Sequence, residues 1–363
     1  MGFTCGIVGL PNVGKTTLFN AITSANAHVA NYPFCTIDPN VGIVPVPDNR
    51  LKRIAEIYKS AKIVPTTLEF LDIAGLVKNA SKGEGLGNQF LSHIRTVDAI
   101  AHVVRCFEDP NVTHVNGVIN PKYDIEIVET ELILKDIETV EKKILDASKR
   151  VKANDKKAKA EEEFYHKLKT HLLSGKPARS YNIKDDECFF WMQDLHLLTS
   201  KAVMYICNVH EKDLNKQNPY VDAVKKIADS ENAKTVIISA EIEAEIAKLP
   251  ENERADFMAE LGLSESGLSK VIKTGYELLQ LVTFFTANEN EAHARTAKIG
   301  TTVVEAARLV HSDFEKKFIR AEVIKFQDLD RLGSELAVRE AGILHIQGRD
   351  YVIEDGDIIF YKI

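Results

Sequence analysis

The segment from Gly9 to Thr16, GLPNVGKT, constrains this chain more than any other stretch of it. It matches the pattern G-x-x-x-x-G-K-[ST], follows the apolar run at 3–9 and precedes a helical pattern at 16–25. In that setting, successive backbone N–H groups at a helix N-terminus surround phosphate oxygens. The segment therefore predicts a strand, a phosphate-binding loop and a helix, with phosphate contacts from Asn12, Val13, Gly14, Lys15, Thr16 and Thr17.

Two further segments lie where a nucleoside triphosphate site needs them. DIAG, Asp72 to Gly75, ends a second long apolar run, and NYPFCTIDPN carries Thr36 upstream of it. In enzymes with this loop, the lysine bridges phosphates, hydroxyl and carboxylate oxygens hold Mg²⁺, and a glycine N–H meets the γ-phosphate. We therefore expect catalysis by Lys15, phosphate contact by Gly75, and Mg²⁺ held by Thr16, Thr36 and, through water, Asp72.

The spacing of apolar runs predicts the fold class. Short aliphatic runs bounded by turn residues alternate with helical patterns such as 219–230, which is typical of a doubly wound α/β domain with a mainly parallel sheet. The runs are FTCGIVG (3–9), TTLEFLDIAG (66–75), DAIAHVVRCF (98–107), KAVMYICN (201–208) and KTVIISA (234–240). They assign residues 1–122 and 199–277 to a discontinuous nucleotide-binding domain.

Residues 123–198 interrupt this alternation. Apolar residues recur there at spacings of four and three, which predicts an antiparallel helical hairpin, or coiled coil, projecting from the sheet domain. The alternative is two ordinary helices packed on the body. The repeating positions are Ile133, Ile137, Val140, Ile144, Ala147 and Val151, then Phe164, Leu168 and Leu172. From 278 to 363 the pattern changes to a small α+β module.

Composition narrows the class of partner and the compartment. The net charge is -7 and no apolar run approaches the ~20 residues that span a bilayer, so neither a DNA nor a membrane partner is expected. The five cysteines are scattered without a C-x-x-C pair, which favours a cytoplasmic protein with neither disulfides nor zinc. Cys35, next to Thr36, is either an inert thiol or one whose oxidation disturbs the metal loop.

Long motifs in this chain resemble the YchF proteins, a branch of the Obg-related P-loop NTPases. They are GIVGLPNVGKTTLFNAIT, NYPFCTIDPN, DIAGLVKNASKGEGLGNQFL and HSDFEKKFIRAEVI, and the similarity runs over all 363 residues. The resemblance implies an inserted helical hairpin and a C-terminal TGS domain with a ubiquitin-like fold. It also implies a preference for ATP over GTP and association with the ribosome, where we expect the large subunit to be the partner.

Asn208-Val209-His210-Glu211 stands where guanine readers carry Asn-Lys-x-Asp. Adenine offers no donors at N1 and C2 for a carboxylate, and the extra methylene of Glu211 displaces its carboxylate from the usual position. Asn208 can still pair with an adenine N6/N7 edge, and Val209 can cover the base. The resemblance places these three residues at the base, and the next strand end supplies Ser239, Ala240 and Glu241.

The sequence lacks the glutamine that orients the attacking water in Ras-like enzymes, because Leu76 occupies its position. His114, in the turn-rich loop DPNVTHVNG, lies just after a strand end, and the resemblance implies that it orients or activates water. The alternative is an exposed loop histidine. Asn12 is a second candidate, since in some relatives an Asn at this place helps to hold K⁺.

Residues 142–159 carry eight Lys or Arg and two Asp, a local charge of +6 near the tip of the predicted hairpin. Clustered cations suit RNA phosphates, although such a run can also be a solvated helix face. The candidate contacts are Lys149, Arg150, Lys152, Lys156 and Lys157. The sequence thus predicts a slow ATPase switch on the ribosome or RNA. The alternatives are an RNA-binding adaptor with structural nucleotide and a conventional GTPase.

Overall fold

The computed structural model describes residues 3–24, 40–73, 86–114, 117–153 and 155–363. The strands in these ranges are β1 (Phe3–Val8), β2 (Val41–Pro45), β3 (Lys62–Val64), β4 (Thr67–Asp72), β5 (Ala99–Arg105), β6 (Ala202–Asn208), β7 (Lys234–Ile238), β8 (Leu281–Ala287), β9 (Glu291–Lys298), β10 (Arg320–Lys325), β11 (His345–Gln347) and β12 (Asp357–Lys362).

The helices in the same ranges vary from one turn to more than eight. They are α1 (Lys15–Ser24), α2 (Asn49–Tyr58), α3 (Leu86–Thr96), α4 (Pro121–Lys152), α5 (Lys156–Leu173), α6 (Asp186–Asp194), α7 (Pro219–Ser230), α8 (Ala240–Lys248), α9 (Glu251–Glu260), α10 (Gly267–Leu278), α11 (Val303–Ala307), α12 (Phe314–Lys317), α13 (Phe326–Leu332) and α14 (Glu335–Glu340).

The first sheet has the strand order β2-β4-β1-β5-β6-β7. Strands β1, β5, β6 and β7 pair in parallel, and every residue of β5 is buried. Burial on both faces explains why these strands are continuous aliphatic runs rather than alternating ones. The predicted α/β fold is therefore confirmed. The edge strand β2 was not predicted, because it is short and only half-buried.

Helices α4 and α5 pack against each other across the predicted apolar positions. Asn120 accepts a hydrogen bond from the Tyr123 N–H at the start of α4, and Asp155 accepts from the N–H groups of Lys157 and Ala158 at the start of α5. Their shared core also takes in Met192 of α6. The buried positions of the two helices are Ile133, Ile137, Val140, Ile144, Ala147, Phe164, Leu168 and Leu172.

The chain divides into two compact units. One unit contains Met1–Ile43 and Glu69–Gly275, and the other contains Val44–Leu68 and Tyr276–Ile363. The sequence placed 44–68 in the nucleotide-binding domain. This boundary is corrected, because Leu51, Ile54 and Ala55 of α2 lie in one apolar core with residues of β8, β9, β10 and β12.

The second unit is built on the sheet β11-β10-β12-β8-β9-β3. Strand β3 pairs in parallel with β9, which brings the short segment before β4 into this sheet. Arg50 of α2 also forms an ion pair with Asp355 at 2.6 Å. Within the described ranges, no helix is both long and apolar enough to cross a bilayer.

Candidate nucleotide site

The phosphate loop joins β1 to α1 through three residues with positive φ, Gly9 (151°), Asn12 (62°) and Gly14 (99°). A Cβ atom at Gly9 would lie 2.5 Å from the carbonyl oxygen of Val103 in β5. A Cβ atom at Gly14 would overlap the side-chain amide of Asn208 at the end of β6. Both glycines are therefore required by close approach as well as by backbone conformation.

Lys15 is buried at the first position of α1, and its ammonium group is turned back into the loop. Nζ donates to the carbonyl oxygens of Gly9 (2.9 Å) and Leu10 (2.7 Å). Burial lowers the pKa of this ammonium to about 8, and the carboxylate of Asp72 opposes the shift. A phosphate group that reached Lys15 would meet a poorly hydrated cation, which strengthens their attraction.

Of the three residues predicted to hold Mg²⁺, Thr16 and Asp72 lie within the described ranges. Thr16 is exposed in the first turn of α1, and half-buried Asp72 ends β4. Burial raises the pKa of the Asp72 carboxyl, while Lys15 opposes the shift. Hydroxyl and carboxylate oxygens are hard donors, so this pair fits Mg²⁺. Thr36, Cys35 and Gly75 lie outside the described residues, as does Leu76.

Asn208 ties the phosphate loop to the next strand end. Its Nδ2 donates to the carbonyl oxygen of Val13 (2.9 Å), and its Oδ1 accepts from the N–H of Ala240 (2.9 Å). An amide has two N–H groups and a carbonyl with two lone pairs, so each end of the side chain can form one more bond. Asn208 thus has a positioning role that sequence reasoning did not anticipate.

A cavity of about 210 Å³ opens beside Asn208. This is smaller than the ~300 Å³ at the lower end of typical small-molecule pockets. Its lining includes seven of the predicted site residues: Asn12, Gly14, Thr17, Asn208, Val209, Ala240 and Glu241.

Two predicted base contacts do not line this cavity. Ser239 is buried, and exposed Glu211 starts the 3-10 turn Glu211–Asp213. The lining instead contains His210 and three residues that sequence reasoning missed, Phe107, Asp109 and Val112. The sequence feature that could have identified these three residues is their position just after the carboxyl end of β5, where ligands bind in open α/β sheets.

His114 is buried rather than exposed on its loop. Its Nε2 lies 3.0 Å from Oδ2 of Asp124, which is also buried, in the first turn of α4. Nearby, Asn12 Nδ2 donates to the carbonyl oxygen of Thr113 (3.2 Å), which links the phosphate loop to the segment that carries His114.

The basic cluster lies where α4 ends and α5 begins. Arg150 forms an ion pair with Glu161 of α5 at 2.6 Å, and Lys149 lies 3.3 Å from Asp146 within α4. Lys152 and Lys157 are exposed, and Lys156 is the first residue of α5. The +6 charge of 142–159 already counts Asp146, so of these two pairs only the one with Glu161 lowers it further.

A sheet of this order, with a phosphate loop at the carboxyl end of a central strand, is the GTPase-like α/β fold of P-loop nucleotide-binding proteins. Residues 4–161 match a family model described as "50S ribosome-binding GTPase", and residues 281–363 match YchF-GTPase_C, described as a protein of unknown function. The "Ribosome-binding ATPase YchF" of Bacillus subtilis is 52% identical over 100% of this chain and 99% of that protein. This chain belongs to the YchF family.

Other relatives also match this chain over almost its full length. The Haemophilus influenzae "Ribosome-binding ATPase YchF" is 50% identical over 100% of this chain and 99% of that protein. The solved Schizosaccharomyces pombe YchF GTPase has a TM-score of 0.90 at 40% identity, covering 99% of this chain and 98% of that one. A GTP binding protein from Pyrococcus horikoshii shares the fold, with a TM-score of 0.62 at 19% identity over 100% and 99% of the two chains.

Proposed function

We propose that this chain binds ATP with Mg²⁺ and hydrolyses it slowly to ADP and phosphate, with GTP a poor substrate. The observation that carries the proposal is the contact of Asn208 with both Val13 and Ala240, since it joins the phosphate loop to the base cavity. The bacterial relatives are named ATPases and the yeast relative a GTPase, so the names themselves leave the base open.

The phosphate end of the site acts through charge and position. The loop N–H groups and the Lys15 ammonium stabilise negative charge that spreads over the transferring phosphoryl group. Thr16 and Asp72, together with Thr36, are the residues proposed to hold Mg²⁺, and Gly75 the one to contact the γ-phosphate. The metal would neutralise phosphate charge.

The base end favours adenine. A guanine reader presents a carboxylate to the N1–H and N2 donors, but the residue at that position, Glu211, is exposed and does not line the cavity. Asn208 retains one donor and one acceptor position for the N6/N7 edge of adenine. Val209, at 2% exposure, supplies an apolar contact.

Competition binding tests this preference. Labelled ATP bound to the protein with Mg²⁺ is displaced by unlabelled ATP or GTP over a range of concentrations. We expect GTP to require a concentration at least roughly tenfold higher, equivalent to about 1.4 kcal/mol. Equal displacement by the two nucleotides would remove the adenine assignment.

His114 is proposed to orient the attacking water. In its contact with Asp124 it is buried, so turnover requires that the segment carrying His114 move when nucleotide binds. His114→Ala is expected to keep ATP affinity and to lower the turnover rate by about 10²–10⁴-fold, the usual contribution of a general acid or base. Full turnover in that variant would exclude the role.

Asn12 is proposed as a K⁺ contact. Its Nδ2 is bonded to Thr113, so its carbonyl oxygen is the group left to meet a cation. We expect faster phosphate release in K⁺ than in Na⁺ at equal ionic strength. Equal rates in the two salts would withdraw K⁺ as a cofactor.

Association with the ribosome or RNA is proposed for the hairpin and for residues 278–363 of the C-terminal unit, the range that we propose as a TGS domain. The relatives' printed names support the partner, and exposed Lys149, Lys152 and Lys157 supply the charge. Ribosome association would place the protein in the cytoplasm. The large subunit is the proposed site of contact.

Cosedimentation with ribosomes at increasing salt tests the cluster. Reversing Lys149, Lys152 and Lys157 to Glu is expected to weaken binding and to flatten its dependence on salt. The matched control reverses three other exposed lysines, Lys216, Lys225 and Lys226. Equal effects of the two triple variants would remove the hairpin tip from the interface.

The burial of His114 against Asp124 favours a second candidate, an adaptor in which nucleotide is structural and turnover incidental. Phosphate release measured with and without ribosomes separates the two. Stimulation by ribosomes supports the switch, and an unchanged basal rate supports the adaptor.

A further inference from the structure

The segment 106–112 is wrapped around one buried side chain, Arg105, the last residue of β5. Its Nε donates to the carbonyl oxygen of Phe107 (3.1 Å), and its two terminal nitrogens donate to Val112 (2.9 Å) and Asp109 (3.3 Å). The residue is only 1% exposed. Three carbonyl groups spread over six residues thus converge on one planar guanidinium.

The same guanidinium supports the ring of Phe107. Its Cζ lies 4.6 Å from the ring centroid, within the distance of a cation–π contact. Because the guanidinium occupies one face of this ring, a nucleotide base that stacked on Phe107 would meet the other face. Arginine suits this position, since it combines five N–H donors with a flat surface that lysine lacks.

The segment held by Arg105 is a wall of the base cavity. Phe107, Asp109 and Val112 all line the cavity. Arg105 is also the strand partner of Asn208 in the β5–β6 register, and the N–H of Cys106 donates to the carbonyl oxygen of Asn208 (2.8 Å). The two residues that end these neighbouring strands therefore organise two parts of the same cavity.

We propose that Arg105 is a positioning residue for the base of the bound nucleotide, and that it acts by holding Phe107 and Val112 at the cavity. This role rests on the proposed nucleotide function. It concerns the base more than the phosphates. Lys15 and Asn208 bond the phosphate loop through contacts that do not involve Arg105. Without Arg105, the segment 106–112 would be free to move. Binding of the base would then have to order this wall of the cavity again, which costs free energy and weakens the affinity.

The test compares the binding of Mg²⁺·ATP with that of Mg²⁺·tripolyphosphate, which has the phosphates but no base. Arg105→Lys keeps the charge and loses the three-way fork. We expect it to weaken ATP binding about tenfold, or about 1.4 kcal/mol, and to change tripolyphosphate binding by less than about twofold. The control is Arg179→Lys, a half-buried arginine that does not line the cavity and is paired with Glu129 and Glu231.

Three outcomes would overturn the role of Arg105. They are unchanged ATP binding in folded Arg105→Lys, equal weakening for both ligands, and the same ATP loss in Arg179→Lys. If Arg105→Lys does not fold, Phe107→Leu removes the aromatic ring that Arg105 supports while Arg105 and the backbone carbonyls stay. This variant must weaken ATP binding and leave tripolyphosphate binding nearly unchanged. Unchanged ATP binding in this variant excludes the role. If the unmodified protein binds ATP no more tightly than tripolyphosphate, the base site itself fails.

Discussion

Gly14 and Asn208 occupy adjoining space, so the phosphate loop and the cavity beside Asn208 depend on each other at the level of single residues. Any side chain at Gly14 would overlap the Asn208 amide that bonds Val13 and Ala240. It would also adopt a φ of 99°, which costs an L-residue about 1–2 kcal/mol. Gly14 therefore adds a steric requirement to a conformational one.

Gly14→Ala should lose ATP affinity by roughly tenfold or more, since moving Asn208 disturbs both ends of the site. The matched control is Gly300→Ala, where φ is 90° and a new Cβ would meet no atom of the described residues within 4 Å. Both variants should melt earlier than the unmodified protein, and only Gly14→Ala should lose ATP binding in a titration. Normal ATP affinity in Gly14→Ala would contradict the steric account.

His102 in β5 makes stability depend on pH. Burial lowers its pKa to about 3, and the charges of Lys15 and Arg179 add to the effect. An unfolded histidine takes up its proton near pH 6.5, so stability falls as pH drops from there towards 3. At pH 4.5 the loss from this residue should be about 2–3 kcal/mol.

His102→Gln should therefore show a shallower fall in melting temperature between pH 6.5 and 4.5 than the unmodified protein. Exposed His345→Gln is the control and should leave the slope as it was. An identical slope in His102→Gln and the unmodified protein would show that this histidine is not a source of acid sensitivity.

At the scale of elements, α4 is fastened to the sheet domain through Asp136. This buried carboxylate accepts from the N–H groups of Leu198 (2.7 Å) and Thr199 (2.8 Å) and from the Thr199 hydroxyl (2.6 Å). Burial raises the pKa of Asp136, and these hydrogen bonds oppose the rise. The contact joins the long helix to the turn immediately before β6.

Asp136→Ala should cost about 2–3 kcal/mol in the free energy of unfolding, because two buried N–H groups lose their acceptor. Asp146→Ala, on the exposed side of the same helix, should cost less than about 0.5 kcal/mol. Denaturant unfolding followed by circular dichroism measures both. Equal losses in the two variants would deny Asp136 this role.

Elements with a local signal were predicted well from the sequence. The phosphate loop, five strands of the first sheet and the apolar positions of α4 and α5 all follow from spacing within one segment. Phe107 and Val112 could not be predicted, because the contacts with Arg105 that turn them towards the cavity depend on the folded loop. The orientation of Glu211 likewise depends on a 3-10 turn that has no clear sequence signature.

On the scale of the whole molecule, α2 belongs with the C-terminal unit despite its early place in the chain. Ile54 is fully buried in the core that contains Phe285 and Ile324. The sequence shows that α2 is amphipathic but contains nothing that identifies which distant strands its apolar face will meet. Tertiary contacts determine which strands α2 packs against.

Ile54→Ala should accordingly raise hydrogen exchange in β8, β9 and β10 and leave the first sheet protected, with a loss of about 2–5 kcal/mol. Ile22→Ala in α1, equally buried, should have the opposite regional effect. Faster exchange in the first sheet alone for Ile54→Ala would return 44–68 to the nucleotide-binding unit.

We propose that this molecule turns over ATP at the site that contains Lys15 and Asn208. Release of inorganic phosphate, measured with ATP and GTP in parallel and with Lys15→Ala as the blank, tests it most directly. We predict slow release that is faster from ATP than from GTP and that falls to background in Lys15→Ala. Release from GTP at an equal or higher rate would exclude the preference for ATP, and release that survives in Lys15→Ala would exclude turnover at this site.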